Sequence, residues 1–327
     1  MIGYYVHHQG GGHLARARCI AARMREPVVV LSSLAAPSDT RQFAGWIQLS
    51  RDDSAGGRAH TGGGALHWAP LDVPGYAERM QTVSRWIASA GPRLVVVDVS
   101  VEIAALVRLL GVPVVVVAGP GDRVDDPHQL AYRLAEHIIA PWFDAVYRPG
   151  HLAAFVGKVS YVGAMSRFDA EPVEPAPGVN RVLALFGQGG SRVSQADVDS
   201  AAAATPAWSW RNFGAADMPW SSDLWAELMS SDVIVCHGGQ NILAEVAAAR
   251  RPALVVPQDR PFGEQDATAT AIQQSGIAQA LSGWPEPSAW PALLTAAAGL
   301  GGHGWKRWSD GAGAARAAAA IDAVGRS

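Results

Sequence analysis

Short unbroken runs of β-branched and apolar residues alternate with longer stretches whose apolar positions recur every three to four residues. Ile2–Val6 and Val28–Leu31 read as strands, with Gly12–Met24 between them as a helix. Leu94–Asp98 (LVVVD) reads as a strand, Val101–Leu110 as a helix, and Gly111-Val112-Pro113 turns the chain into a further strand, Val114–Val117. Runs that do not alternate with polar residues are the mark of parallel strands covered on both faces. At Asp169–Asn180 the rhythm breaks in a segment, DAEPVEPAPGVN, rich in proline and acid, which suits an exposed linker. It then restarts with strands at Arg181–Phe186, Val233–Cys236 and Ala253–Val256, helices at Ile242–Ala249 and Ala267–Ser275, and a closing Ala-rich helix around Ala312–Val324. The expected fold class is therefore α/β, with two Rossmann-like doubly wound domains facing a central cleft. The expected boundaries are 1–168 for the first domain, 169–180 for the linker, 181–311 for the second domain, and 312–327 for a C-terminal helix able to cross back to the first.

Composition narrows the function. The 327 residues include 26 Lys and Arg against 29 Asp and Glu, for a net charge of −3. A nucleic-acid partner, which would call for a strongly basic surface, is not expected. Two cysteines, Cys19 and Cys236, are too few for a disulfide framework or a zinc cluster. The N-terminus has no basic stretch leading into an apolar segment, and no apolar run reaches the ~18 residues of a transmembrane helix. A cytoplasmic protein is expected, and peripheral contact with a membrane stays open.

The chemistry-bearing residues follow strands. His7-His8-Gln9-Gly10-Gly11-Gly12-His13 follows the first strand, and its glycines admit a ligand close to backbone amides at a helix start. His13 begins that helix, where the positive dipole end disfavours imidazolium and suits a general base; a cleft-lining His is the plainer reading. Asp98 closes its strand on the same edge and either orients His13 or caps the next helix. Arg16, Arg18, Arg23 and Arg25 read as a solvated helix face, most tryptophans as core, and the loop Ser54–Gly64 as flexible surface. The pairs Asp52-Asp53 and Asp125-Asp126 sit in loops and are not read as metal ligands. In the second half, Phe186-Gly187-Gln188-Gly189-Gly190-Ser191, then Cys236-His237-Gly238-Gly239-Gln240-Asn241 with Glu245, then Pro257–Gln265 each follow a strand and converge on one edge. Such an arrangement offers amides to a diphosphate and a carboxylate, Glu245, to two adjacent hydroxyls.

In this order the second-half segments, about Val182–Leu281, resemble the donor-binding domain of GT-B glycosyltransferases of the MurG-type family 28 and the UDP-glucuronosyltransferase-like family 1. GGGHLARA, RLVVVDVS with GVPVVVV, and YVGAMSR resemble the first domain of those families less specifically. The resemblance implies that Gln188, Gly190, Ser191, His237, Gly239, Gln240 and Asn241 surround the diphosphate, with Gly11 and Gly12 beside the donor. It implies further that Glu245 holds the ribose, Arg167 reaches the base, Glu264 and Gln265 read the donor sugar, and His13 is the base oriented by Asp98. The implied activity is inverting transfer from a nucleoside diphosphate sugar, UDP-linked in first place, to a hydroxyl acceptor, with no cofactor and no metal. Two departures stand out: no WxPQ-like base-stacking segment is present, and the chain is short for family 1. Alternative readings are a nucleotide-sugar hydrolase of the pseudaminic acid pathway type, whose GxGHxxR pattern is matched over Gly11-Gly12-His13-Leu14-Ala15-Arg16, a nucleotide-sugar-binding protein without turnover, and a 2-epimerase.

Overall fold

The computed structural model describes residues 1–53, 58–187, 190–214 and 221–325. Gln188 and part of the Ser54–Gly64 loop lie outside the described residues. The first half runs β1 (Ile2–Val6), α1 (Gly12–Ala21), β2 (Val28–Ser32), β3 (Gly45–Gln48), α2 (Pro74–Ala90), β4 (Leu94–Asp98), α3 (Val101–Leu109), β5 (Val114–Val117), α4 (Asp126–Leu134), β6 (His137–Ala140) and β7 (Val159–Tyr161). The second half runs β8 (Arg181–Leu185), α5 (Gln195–Ala204), β9 (Ser209–Phe213), α6 (Leu224–Met229), β10 (Val233–Cys236), α7 (Gln240–Ala249), β11 (Ala253–Val255), α8 (Glu264–Gln274), β12 (Gln279–Ala280), α9 (Trp290–Leu300) and α10 (Gly313–Ala323).

Among the described residues the strands form two parallel sheets, in the orders β3-β2-β1-β4-β5-β6-β7 and β12-β11-β10-β8-β9. The unbroken apolar runs have the expected cause. Tyr4, Val6 and Val96 pack towards α1, while Tyr5, Val95 and Val97 pack towards the α2–α4 face, so successive residues fill two different cores. Strands with mixed polarity, such as Ser209–Phe213 and Gly45–Gln48, lie at sheet edges and lack that signature.

Each sheet reverses its strand order once, between β1 and β4 in the first and between β8 and β10 in the second. Ligands of open α/β sheets bind beyond the strand carboxyl ends at such switch points. Register puts Val6 opposite Asp98 and Leu185 opposite Cys236, so at each switch point two strands deliver their loops side by side.

Two tethers join the halves. The Pro-rich segment is pinned to the second sheet, with Asp232 accepting from the amides of Gly178 at 2.7 Å, Val179 at 3.0 Å and Arg181 at 3.0 Å. The last helix, α10, lies on the first sheet instead. Its Ala314, Ala317 and Ile321 share a core with Ile20, Val6 and Ile139. At Gly313 a Cβ would fall 2.5 Å from the Ala164 carbonyl oxygen, so only glycine lets the helix start there.

Ile321 is fully buried. Ile321→Ala is expected to cost about 2–5 kcal/mol, read as a lowered urea midpoint of the first domain's unfolding. A midpoint unchanged from the parent chain would mean that α10 does not stabilise this sheet.

Candidate active site

At the first switch point the turn from β1 into α1 needs Gly10, whose φ is +83°, and brings His13 over the end of β4. His13 Nδ1 lies 2.9 Å from Asp98 Oδ1. Asp98 is fully buried and already carries a cation: Arg16 donates from Nε to Oδ2 at 2.8 Å and from Nη2 to Oδ1 at 2.9 Å. The Tyr4 hydroxyl adds a contact to Oδ2 at 3.3 Å. Burial by itself would raise the Asp98 pKa, but Arg16, His13 and their hydrogen bonds outweigh it and hold the carboxyl well below the usual range. With its carboxylate ionised, Asp98 accepts a hydrogen bond from the His13 Nδ1–H, the tautomer in which a neutral imidazole has Nε2 as its acceptor.

Arg16 thus differs from its expected place on a solvated face. Its third nitrogen, Nη1, donates to Gln240 Oε1 across the cleft at 3.1 Å. The one sequence signal was its spacing: three residues after His13, it shares that residue's helix face. His7 packs edge-on to His13 at 5.9 Å and stacks on His8 at 4.8 Å. Burial, then His13 and His8, push the His7 pKa down to about 3, so it is neutral.

The second switch point faces the first closely enough that a Cβ on Gly12 would meet the Asn241 Cβ at 3.7 Å. Helix α7 begins immediately after Gly239 with no side-chain cap, so the free amides at its start point into the cleft from Gln240 and Asn241. Gln240 Nε2 is a buried donor with no partner among the described residues.

His237 is buried and its pKa is pushed down to about 4 by burial. Its Nδ1 donates to the Val256 carbonyl at 2.8 Å, which leaves Nε2 an acceptor, and the Ser191 hydroxyl fills it at 3.0 Å. The imidazole therefore offers a diphosphate no free N–H; it holds Ser191 there instead. Gly190, at φ +85°, is exposed beside it, and its carbonyl accepts from Arg260 at 3.1 Å. Gln265 is buried, and its Oε1 accepts the amides of Gly238 at 3.1 Å and Gln258 at 3.0 Å, which braces two loops together.

Glu245 lies one turn inside α7, buried, with Arg167 Nε 3.0 Å from Oε1. Burial raises its pKa, against the pull of Arg167 and Asn241. Arg167 also sits over the Phe168 ring at 4.6 Å. Glu264, the first residue of α8, is 3.2 Å from Arg123 Nη2 of the first domain, a residue the sequence did not mark.

Among the described residues two groups bring His and Asp side chains together: His67, Asp125 and His128, and His8, Asp52 and Asp53. Arg123 Nη1 lies 2.7 Å from His128 Nε2, and a guanidinium only donates, so His128 keeps its proton on Nδ1, towards Asp125. In the second group, Asp52 carries Arg79 at 2.8 Å and Asp53 carries Arg51 at 2.8 Å.

Residues 206–282 match a family model described as the Glycosyltransferase family 28 C-terminal domain. The match spans the segment that builds α7 and the His237 and Glu264 loops. Over that segment the chain resembles a glycosyltransferase family 28 C-terminal domain, and its two parallel-sheet domains have the GT-B fold. Solved structures agree on the fold over almost the whole length. The glycotransferase of kitacinnamycin aligns with a TM-score of 0.69 at 16% identity, over 98% of this chain and 98% of that one. CalG4, the calicheamicin glycosyltransferase, aligns with a TM-score of 0.66 at 14% identity, over 98% and 97%. MurG of Acinetobacter baumannii aligns with a TM-score of 0.60 at 16% identity, over 97% and 94%. No curated protein matches the chain by sequence. No helix among the described residues is long and apolar enough to cross a membrane.

Because Asp98 and Arg16 are buried as a pair, removing one charge strands the other. Asp98→Asn is expected to cost about 3–5 kcal/mol at pH 7, read by urea denaturation. The folded pKa of Asp98 lies below its unfolded value, so its contribution is full above about pH 4 and fades as pH falls below that. The difference between the two proteins should narrow accordingly. Equal urea midpoints at pH 7 would show that Asp98 does not anchor Arg16.

Proposed function

We propose that the enzyme transfers a sugar from a nucleoside diphosphate donor, UDP-linked in the first instance, to a hydroxyl acceptor with inversion and without a metal. The observation that carries this reading is the opposition of His13, its Nε2 an acceptor, to the uncapped start of α7 across the closed cleft. In the proposed step the acceptor oxygen attacks the anomeric carbon from the face opposite the diphosphate. Its proton passes to His13 Nε2 while the bond to the diphosphate oxygen breaks, and the single displacement inverts the centre. Charge growing on the departing diphosphate meets the free amides at Gln240 and Asn241, the Gln240 side-chain donor and Gly239. These groups take the place a metal would otherwise fill. Glu245 would hold the ribose in exchange for part of its contact with Arg167, leaving Arg167 to lie against the base. Glu264 and Gln265 stand where the donor sugar would be read, with Gly11 and Gly12 lining the opposite wall.

One observation favours a second reading, hydrolysis of the donor: Arg16 completes the GxGHxxR pattern and sits on Asp98 in the dyad itself. Donor incubated alone separates the two. Rapid stoichiometric sugar release indicates the hydrolase; slow release that accelerates with an added acceptor indicates the transferase.

A thermal-shift panel of UDP, dTDP, GDP and CMP should rank the bases, since a ligand at 100 Kd stabilises by about 2.7 kcal/mol. With the preferred donor, turnover should be unchanged by EDTA. His13→Ala should lose about 10²–10⁴-fold in rate with nucleotide affinity intact. Full turnover in that variant would move the base elsewhere.

Glu245→Ala should weaken nucleoside diphosphate binding by about 10–150-fold, the worth of a charge-assisted hydrogen bond of 1.5–3 kcal/mol. Inorganic pyrophosphate binding should scarcely change. Calorimetry decides it, and wild-type UDP affinity in the variant would place the ribose elsewhere.

A further inference from the structure

The loop after β11, which carries Glu264, is clamped by the loop after β5 of the other domain. The Asp122 amide donates to the Phe262 carbonyl at 2.8 Å. Gly121 makes the approach possible: its φ is +92°, and a Cβ there would lie 2.2 Å from that same carbonyl oxygen. Phe262 pays for the contact with a left-handed backbone, φ 63° and ψ 13°, unusual for a residue with a side chain. Its ring sits under the Arg123 guanidinium at 4.8 Å and edge-on to His128 at 4.7 Å.

Arg123 is the centre of this contact, and its side chain is only 5% exposed. Nε donates to the Pro120 carbonyl at 2.9 Å, Nη1 to His128 Nε2 at 2.7 Å, and Nη2 to Glu264 Oε2 at 3.2 Å. His128 is itself held by Asp125, 2.7 Å from Nδ1. Burial above all keeps His128 neutral, with its pKa pushed down to about 4, so its Nε2 remains an acceptor for Arg123 at neutral pH. The line Asp125–His128–Arg123–Glu264 is a fixed chain of polar contacts from the first domain to a carboxylate of the second.

We propose that Arg123 is a specificity-determining residue for the donor sugar: by holding Glu264 Oε2 from the acceptor domain, it aims Oε1 at one arrangement of sugar hydroxyls. The inference rests on the reading of Glu264 as a donor-sugar contact. Arg123 acts through Glu264 and is a positioning residue, so its loss alters discrimination among sugars while the nucleotide, which meets α7, Glu245 and Arg167, is held as before. Lysine cannot replace it, because one ammonium cannot serve the carbonyl, the imidazole and the carboxylate from three fixed directions.

The test compares the parent enzyme with Arg123→Ala, Arg123→Lys and His128→Leu, using UDP and a panel of UDP-glucose, UDP-galactose and UDP-N-acetylglucosamine. UDP affinity is read by calorimetry, and kcat/KM for each sugar is read as UDP release with water as acceptor. In Arg123→Ala the ratio between the best and second-best sugar is expected to fall by about tenfold or more, the worth of one charge-assisted contact. UDP affinity should stay within about threefold. Arg123→Lys, which keeps the charge and serves if the alanine variant fails to fold, should show the same fall, and His128→Leu a smaller one. A sugar ratio unchanged in folded Arg123→Lys overturns the proposal, as does an equal loss for UDP and for every sugar. If the parent enzyme binds neither UDP nor any UDP-sugar, it is the assignment of the donor that fails.

Discussion

The buried ion pair between Asp98 and Arg16 is the constraint around which the cleft is built. A carboxylate with no solvent contact at the end of a central strand is costly unless its lone pairs are filled, and here Arg16, His13 and Tyr4 fill them. Satisfying that one group settles three others. His13 is fixed in a single tautomer with Nε2 as its acceptor, α1 is held against β4, and the remaining nitrogen of Arg16 is left to reach Gln240 on the opposite domain. The His13–Asp98 pair proposed as catalytic and the contact between the two halves therefore share one guanidinium.

The side proposed to hold the donor is organised differently. Polar side chains there bind neighbouring loops rather than project freely. Gln265 ties the loops after β10 and β11, His237 anchors Ser191, and Arg167 covers Glu245. Among the described residues, the start of α7, which no side chain caps, keeps its backbone amides free, and Gln240 Nε2 beside it is without a partner. A rigid frame around an open helix terminus suits an anion whose charge grows during reaction, because the amides need not reorganise to meet it.

Among the described residues, several contacts join the halves. Arg16 with Gln240 joins the two switch points, Arg123 with Glu264 joins the loops above them, and α10 returns the chain's end to the first sheet. Two of these depend on glycines without room for a side chain, Gly121 and Gly313, where backbones approach within contact of each other.

The sequence by itself determined the two parallel sheets, because strands buried on both faces run through apolar residues without alternation, as Leu94–Val97 and Val233–Cys236 do. It also marked the glycine turns that meet at the two switch points, as at 10–12 and 238–239. It determined less well the edge strands, whose mixed polarity matches that of loops. Only the tertiary structure decided partners. Arg16 has the composition of a surface helix residue, and nothing local marks it as buried; its role comes from a carboxylate 82 positions away. Arg123 and Phe262 are as silent, and they are joined to Glu264 and Asp122 only when two separate domains close. Periodicity is a local property that each segment carries alone, whereas the pairing of a buried charge is a condition on the whole fold.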